Sequence, residues 1–76
     1  MESIYDILAE LRPENDFHAS TDFIGDGMLD SFDIVELVTA LEEKFDILID
    51  ALDILPENFA NTDAIAGVVR KNGGSL

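Results

Sequence analysis

The residues with the most chemical potential lie in one stretch, Gly27-Met28-Leu29-Asp30-Ser31-Phe32-Asp33. Ser31 is placed at the first position of a helix, with Asp30 as a good N-cap and Asp33 at the third helical position. At such a point the free backbone N–H groups and the helix dipole favour a phosphate. A hydroxyl there is exposed, and a phosphodiester attached to it meets the positive end of the dipole. Asp30, beside it, can engage a cation on a modifying enzyme. Ser is common near helix N-termini, so the Asp-Ser pair alone says little. Phe32 adds to it, because it falls on the outer face of its helix, opposite the apolar stripe. An exposed aromatic beside a modifiable serine reads as a recognition element, against the bland alternative that single apolar residues are normal on surfaces.

A second pattern overlaps the first. Asp22, Asp26, Asp30 and Asp33 fall at positions 1, 5, 9 and 12 of an EF-hand-like frame, with Gly27 at position 6 and Leu29 at position 8. Ile24 at position 3 cannot ligate through its side chain, Asp33 is shorter than the usual Glu, and Pro13 breaks the incoming helix. This calcium-binding reading is the rival from another class, with weak divalent binding by the acidic surface as its milder form. A hydrolase is a poorer one, since His18 is the sole histidine and would need a pocket with Ser31 that so short a chain hardly builds. A bare acidic adaptor, docking by charge with Ser31 unmodified, is the third.

The elements that must position Ser31 follow from periodicity. Ile4, Ile7, Leu8 and Leu11 form one apolar stripe of a first helix, with Ser3 and Asp6 resembling a capping box. Pro13 ends it at Arg12. Residues 13 to 30 read as a long loop, rich in Asn, Asp, Ser and Gly. Its Phe17, Phe23, Ile24, Met28 and Leu29 are expected to pin it to the core, and Gly25 and Gly27 to make its tight turns. The main helix runs from Ser31 to Phe45 or Asp46. At about 100° per residue, Ile34, Val38, Leu41 and Phe45 share its inner stripe with Leu37 beside it, while Phe32, Glu36, Thr39 and Glu43 lie outside, flanked by Glu42 and Asp46. Pro56 suits the first position of a short turn near 56–60. Asn61 or Thr62 caps a last helix with an Ile65, Val68, Val69 stripe, Arg70 and Lys71 at its end and Gly73 as its stop. The sum is an all-α chain with three main helices, one short helix and no convincing strand.

Composition narrows function further. Seventy-six residues, 47% of them hydrophobic, make one domain, which buries only roughly 60% of its unfolded surface. Seventeen acidic residues against four basic ones give a net charge of −13. That repels nucleic acid and anionic membranes, favours partners with basic docking surfaces, and keeps the chain monomeric at some cost in stability. No cysteine is present, so thiolate chemistry must come from elsewhere. No apolar run approaches a membrane span, and the start, MESIYDILAEL, lacks a basic secretory region. The expectation is a cytoplasmic protein with residues 72–76 as a flexible tail.

The run GMLDSFDIVELVTALEEKFD, residues 27 to 46, resembles the second helix of acyl carrier proteins, which follows an Asp-Ser-Leu motif with this order of apolar and acidic residues. STDFIGDGMLDS is similar to that family's approach to the serine, and ILPENFANTDAIAGVV to its third and fourth helices. The resemblance spans Ser3 to about Lys71. It implies a four-helix up-down bundle with a long first loop. It implies that Ser31 receives 4′-phosphopantetheine from coenzyme A through a separate phosphopantetheinyl transferase and Mg²⁺, and that the chain itself is no enzyme. It implies that Asp30, Phe32, Asp33, Glu36, Glu42 and Glu43 are read by that transferase, by a loading ligase and by downstream synthases. The cargo is then an acyl group held as a thioester, as in fatty-acid or polyketide synthesis. Phe32 replaces the usual Leu. Met28-Leu29 replaces the usual Gly-Ala or Gly-Gly and is similar to stand-alone D-alanyl carriers, which leaves an aminoacyl cargo as the alternative.

Overall fold

The computed structural model describes residues 2–75; Met1 and Leu76, which the single-domain expectation includes, lie outside the described residues. Three α-helices form: α1 (Glu2–Leu11), α2 (Ser31–Phe45) and α3 (Thr62–Lys71). The expected short helix is a 3₁₀ turn at Pro56–Phe59, and two further 3₁₀ turns, Phe17–Ala19 and Ala51–Asp53, lie in the connections. No strand forms among the described residues. The architecture is the all-α, acyl-carrier-like one that the periodicity and the resemblance imply.

α1 buries Ile4, Ile7 and Leu8 and half-buries Leu11. It begins at Glu2, so Ser3 lies inside the helix instead of capping it. The last turn closes with the Arg12 N–H donating to the Leu8 carbonyl at 2.9 Å, and Pro13, without an N–H to donate, takes the chain out of the helix. α2 buries Ile34, Leu37, Val38 and Leu41, and α3 buries Ile65, Ala66, Val68 and Val69. These stripes meet over Phe23 and Phe59, the two largest fully buried side chains.

The long loop is part of that core. Phe17, Phe23 and Leu29 are buried, with Ile24 and Met28 packed against them. Phe17 meets Phe23 edge to face, ring centroids 5.0 Å apart, a favoured aromatic geometry. The Phe23 N–H donates to the Ala60 carbonyl at 2.6 Å, and its own carbonyl accepts from Met28 at 2.8 Å and Leu29 at 3.2 Å. Buried backbone groups in a loop must be satisfied in this way. Gly27 takes φ +73° in the turn between them, a conformation that L side chains rarely adopt. At Gly25 the need is space: its N–H donates to Asp22 Oδ1 at 2.9 Å, and a Cβ would strike that same carboxylate.

α2 ends on Asp46 in the left-handed region, φ 53° and ψ 53°. The chain then turns back, and the Ile49 N–H donates to Glu42 Oε2 at 2.9 Å. α3 starts from Asn61, whose side chain accepts from the Ala64 N–H at 2.8 Å, as an N-cap does. Beyond α3 the first part of the expected tail is tied down: Gly73 is left-handed at φ +94°, and the Gly74 N–H donates to the Val69 carbonyl at 2.8 Å.

Candidate functional site

Ser31 is exposed at the first position of α2. Asp30 is the N-cap, with φ −113° and ψ −174°. Its Oδ1 accepts from the Asp33 N–H at 3.0 Å, while Asp33 Oδ2 accepts from the Asp30 N–H at 3.1 Å. This is a reciprocal capping box with Asp in the place usually held by Glu. It uses the third amide of the helix. Those of Ser31 and Phe32 stay without a protein acceptor among the described residues, as first-turn amides do. They and the dipole form a positive end beside the serine hydroxyl. Behind them Leu29 and Ile34 are buried, so the turn stands on the core.

The remaining oxygens of the box face Arg12, at the end of α1. Arg12 Nε donates to Asp33 Oδ1 at 2.9 Å, and its Nη2 lies 3.8 Å from Asp30 Oδ2. Nη1 meets Glu14 Oε2 at 3.5 Å. Burial is the largest single influence on Asp33 and favours its neutral form, but the Arg12 hydrogen bond, the box and the Arg12 charge together outweigh it. The carboxyl therefore lies below its ordinary value. The Arg12 guanidinium is raised above its own, chiefly by the hydrogen bond to Asp33.

The outer face of α2 carries Phe32, 80% exposed, and Val35, 61% exposed, together with exposed Glu36, Thr39 and Glu43. Two of the docking acids named from sequence have partners within the chain. Asp33 is only 5% exposed and both its oxygens are engaged within the chain, which corrects its assignment as a partner-facing acid. Glu42 is half-buried, and one of its oxygens holds the Ile49 amide. Asp30, Phe32, Glu36 and Glu43 remain at the surface around and beyond Ser31.

The calcium-site alternative is corrected as well. Asp22 accepts from the Gly25 N–H, Asp26 accepts from the Ser20 hydroxyl, and Asp30 and Asp33 are joined in the box. Among the described residues no three metal-ligating side chains come together. His18, the histidine weighed as a base for Ser31, stacks on Tyr5, ring centroids 3.7 Å apart.

Two open hollows mark the surface. One, of about 210 Å³, lies between α1 and α2 over Ile7, Leu11 and Leu37. The other, of about 530 Å³, lies between the long loop and the Pro56–Phe59 turn, lined by Asp22, Ile24, Pro56 and Asn61 among others. Sequence reasoning missed Arg12 as part of the site, and it missed two leucines that stand exposed, Leu48 at 84% and Leu52 at 82%. No periodicity marks either leucine, because both belong to a connection.

A family model described as the phosphopantetheine attachment site matches residues 2–69. No curated protein and no solved structure matches the chain.

Proposed function

The chain belongs to the phosphopantetheine attachment-site family, and from that premise we propose that Ser31 bears the 4′-phosphopantetheine arm and that the protein is a non-catalytic acyl carrier. The observation that carries this reading is the exposed hydroxyl at the first position of α2, beside two first-turn amides with no protein acceptor among the described residues. A phosphodiester fits there. Its negative charge meets the positive end of the helix, and among the described residues Ser31 is exposed to receive it. In the attachment step the Ser31 oxygen forms a bond to the β-phosphorus of coenzyme A. The pyrophosphate bond breaks, adenosine 3′,5′-bisphosphate leaves, and the serine proton passes to a base on the transferase. When bound, the arm supplies the thiol that a chain without cysteine lacks, and on it acyl groups are held as thioesters.

The partners are a phosphopantetheinyl transferase, a loading ligase and downstream synthases or transferases. Their shared feature is a basic docking surface for Asp30, Glu36 and Glu43, with an apolar depression for Phe32. Opposite charge speeds such encounters and makes them weaken with salt. The cytoplasm is the compartment proposed. An aminoacyl cargo is the second reading, and Leu29 before Asp-Ser favours it. Yet Leu29 is 3% exposed, so its size answers to the core as well as to any cargo.

Intact mass after incubation with a broad-specificity phosphopantetheinyl transferase, coenzyme A and Mg²⁺ tests the assignment. A gain of one phosphopantetheine on wild type and none on Ser31→Ala is expected. No gain on well-folded wild type sinks it.

A further inference from the structure

Arg12 is the one Lys or Arg in the first 43 residues of a chain with seventeen acids and four bases. It stands at the site and not on the acidic outer face. Its guanidinium leaves the end of α1 and meets both carboxylates of the capping box on the oxygens the box does not use: Asp33 Oδ1 at 2.9 Å and Asp30 Oδ2 at 3.8 Å. Each carboxylate thus has one oxygen for the turn and one for Arg12. A planar fork of donors can serve two carboxylates at once, which a lysine point charge does less well. We infer that Arg12 is a positioning residue for Ser31: by bridging Asp33 and Asp30 from α1, it holds the first turn of α2 in the form that presents the serine hydroxyl to the modifying enzyme. The inference rests on the reading of Ser31 as the attachment residue.

Without Arg12, Asp33, a residue only 5% exposed, keeps no partner for its Oδ1. A buried acceptor of that kind either takes a proton or swings out to water. Swinging out breaks its Oδ2 bond to the Asp30 N–H, and protonation weakens that bond by removing the charge, so the box loosens beside Ser31. Three charged groups bear on Asp33. Arg12 faces it from the end of α1 and Asp30 from the N-cap, and Glu14 in the loop holds the far side of Arg12 at 3.5 Å. Arg12 alone among them is positive, so its removal leaves Asp33 with acidic neighbours only. The box should then fail at a higher pH than in wild type.

The test uses the full chain as Arg12→Met, which keeps length without charge, and Arg12→Lys, which keeps charge without the fork. One readout is the pH titration of the Asp30 and Asp33 backbone amide signals by NMR on unmodified protein. In wild type they should move only below the ordinary Asp value of 3.8; in Arg12→Met the midpoint should rise, with Arg12→Lys between. The other readout is phosphopantetheine attachment, as a ratio to wild type, from about pH 7.5 down to about pH 5. The Arg12→Met ratio should fall as pH falls, through KM for the carrier and not kcat. If one molecule in ten keeps the turn, KM rises about tenfold. A uniform loss of stability would lower the melting temperature without that pH trend. Amides that titrate alike in wild type and both variants overturn the clamp, whether or not Ser31 accepts the arm. A shifted titration with a ratio flat in pH overturns the positioning role. Wild type that accepts no phosphopantetheine overturns the attachment reading, and the positioning role with it.

Discussion

Lys71 Nζ lies 2.7 Å from Asp53 Oδ1, tying the last turn of α3 to the 3₁₀ turn that follows α2. Asp53 is buried, and its carbonyl also accepts from Asn58 Nδ2 at 2.9 Å. The Lys71 hydrogen bond holds the Asp53 carboxyl below its ordinary value of 3.8, and the same bond holds Lys71 above its ordinary 10.5. A depressed carboxyl stabilises the fold above its unfolded value and loses that contribution as pH falls through the folded one. A raised ammonium does so below its unfolded value and loses it as pH rises through the folded one. The melting temperature should therefore hold a plateau between these limits and fall beyond both. Asp53→Asn should lower the plateau and remove the alkaline fall due to Lys71. An unchanged profile in a thermal melt series would refute the pairing.

The capping box gives a second expectation. Asp30→Ala removes the acceptor for the Asp33 N–H and should cost about 1 kcal/mol. In a domain of this size that is a melting shift of about 4–8 °C. Attachment at Ser31 should slow as well, since the first turn frays. Asp30→Asn, which keeps an acceptor oxygen, should recover most of the stability in urea titration.

Phe32 and Phe59 should respond in opposite ways. Phe32→Ser touches a ring 80% exposed and should alter stability by less than about 0.5 kcal/mol, while raising the transferase KM for the carrier. Phe59→Ala empties a fully buried position and should cost about 3–5 kcal/mol. Against the 5–15 kcal/mol of a typical domain, about the lower end here, that leaves a marginally stable fold with a much lowered melting temperature. Circular dichroism melts distinguish the two.

Charge repulsion within a chain of net charge −13 predicts a salt effect of two signs. Added salt should raise the melting temperature by screening self-repulsion, and the same salt should slow attachment by screening the docking face. Measuring both at matched ionic strength checks that they share a cause.

What could be read from the chain before its structure was local. Asp30, Ser31 and Asp33 lie within one helical turn, so their spacing fixes the capping box. The inner stripe of α2 and the outward Phe32 follow from the helical period alone. Arg12 and Asp33 are 21 residues apart, and the path of the loop between them decides whether they meet. Local spacing therefore points Asp33 toward partners, while its own chain already holds it. Glu42 has an intramolecular partner that is hidden for a related reason. The helical period sets it near the outer face, but the left-handed turn at Asp46 brings Ile49 back onto it, and no glycine marks that turn. The 3₁₀ turns at Phe17–Ala19 and Ala51–Asp53 are too short to show a period.

The outer face of α2, with Phe32, Val35, Glu36, Thr39 and Glu43 exposed along it, shares almost no work with the core beneath. Substitutions there leave the inner stripe of Ile34, Leu37, Val38 and Leu41 untouched. The helix therefore keeps two separate inheritances along one backbone. Its inner side is bound to the fold, and its outer side can drift toward new enzymes while the protein stays as stable as before.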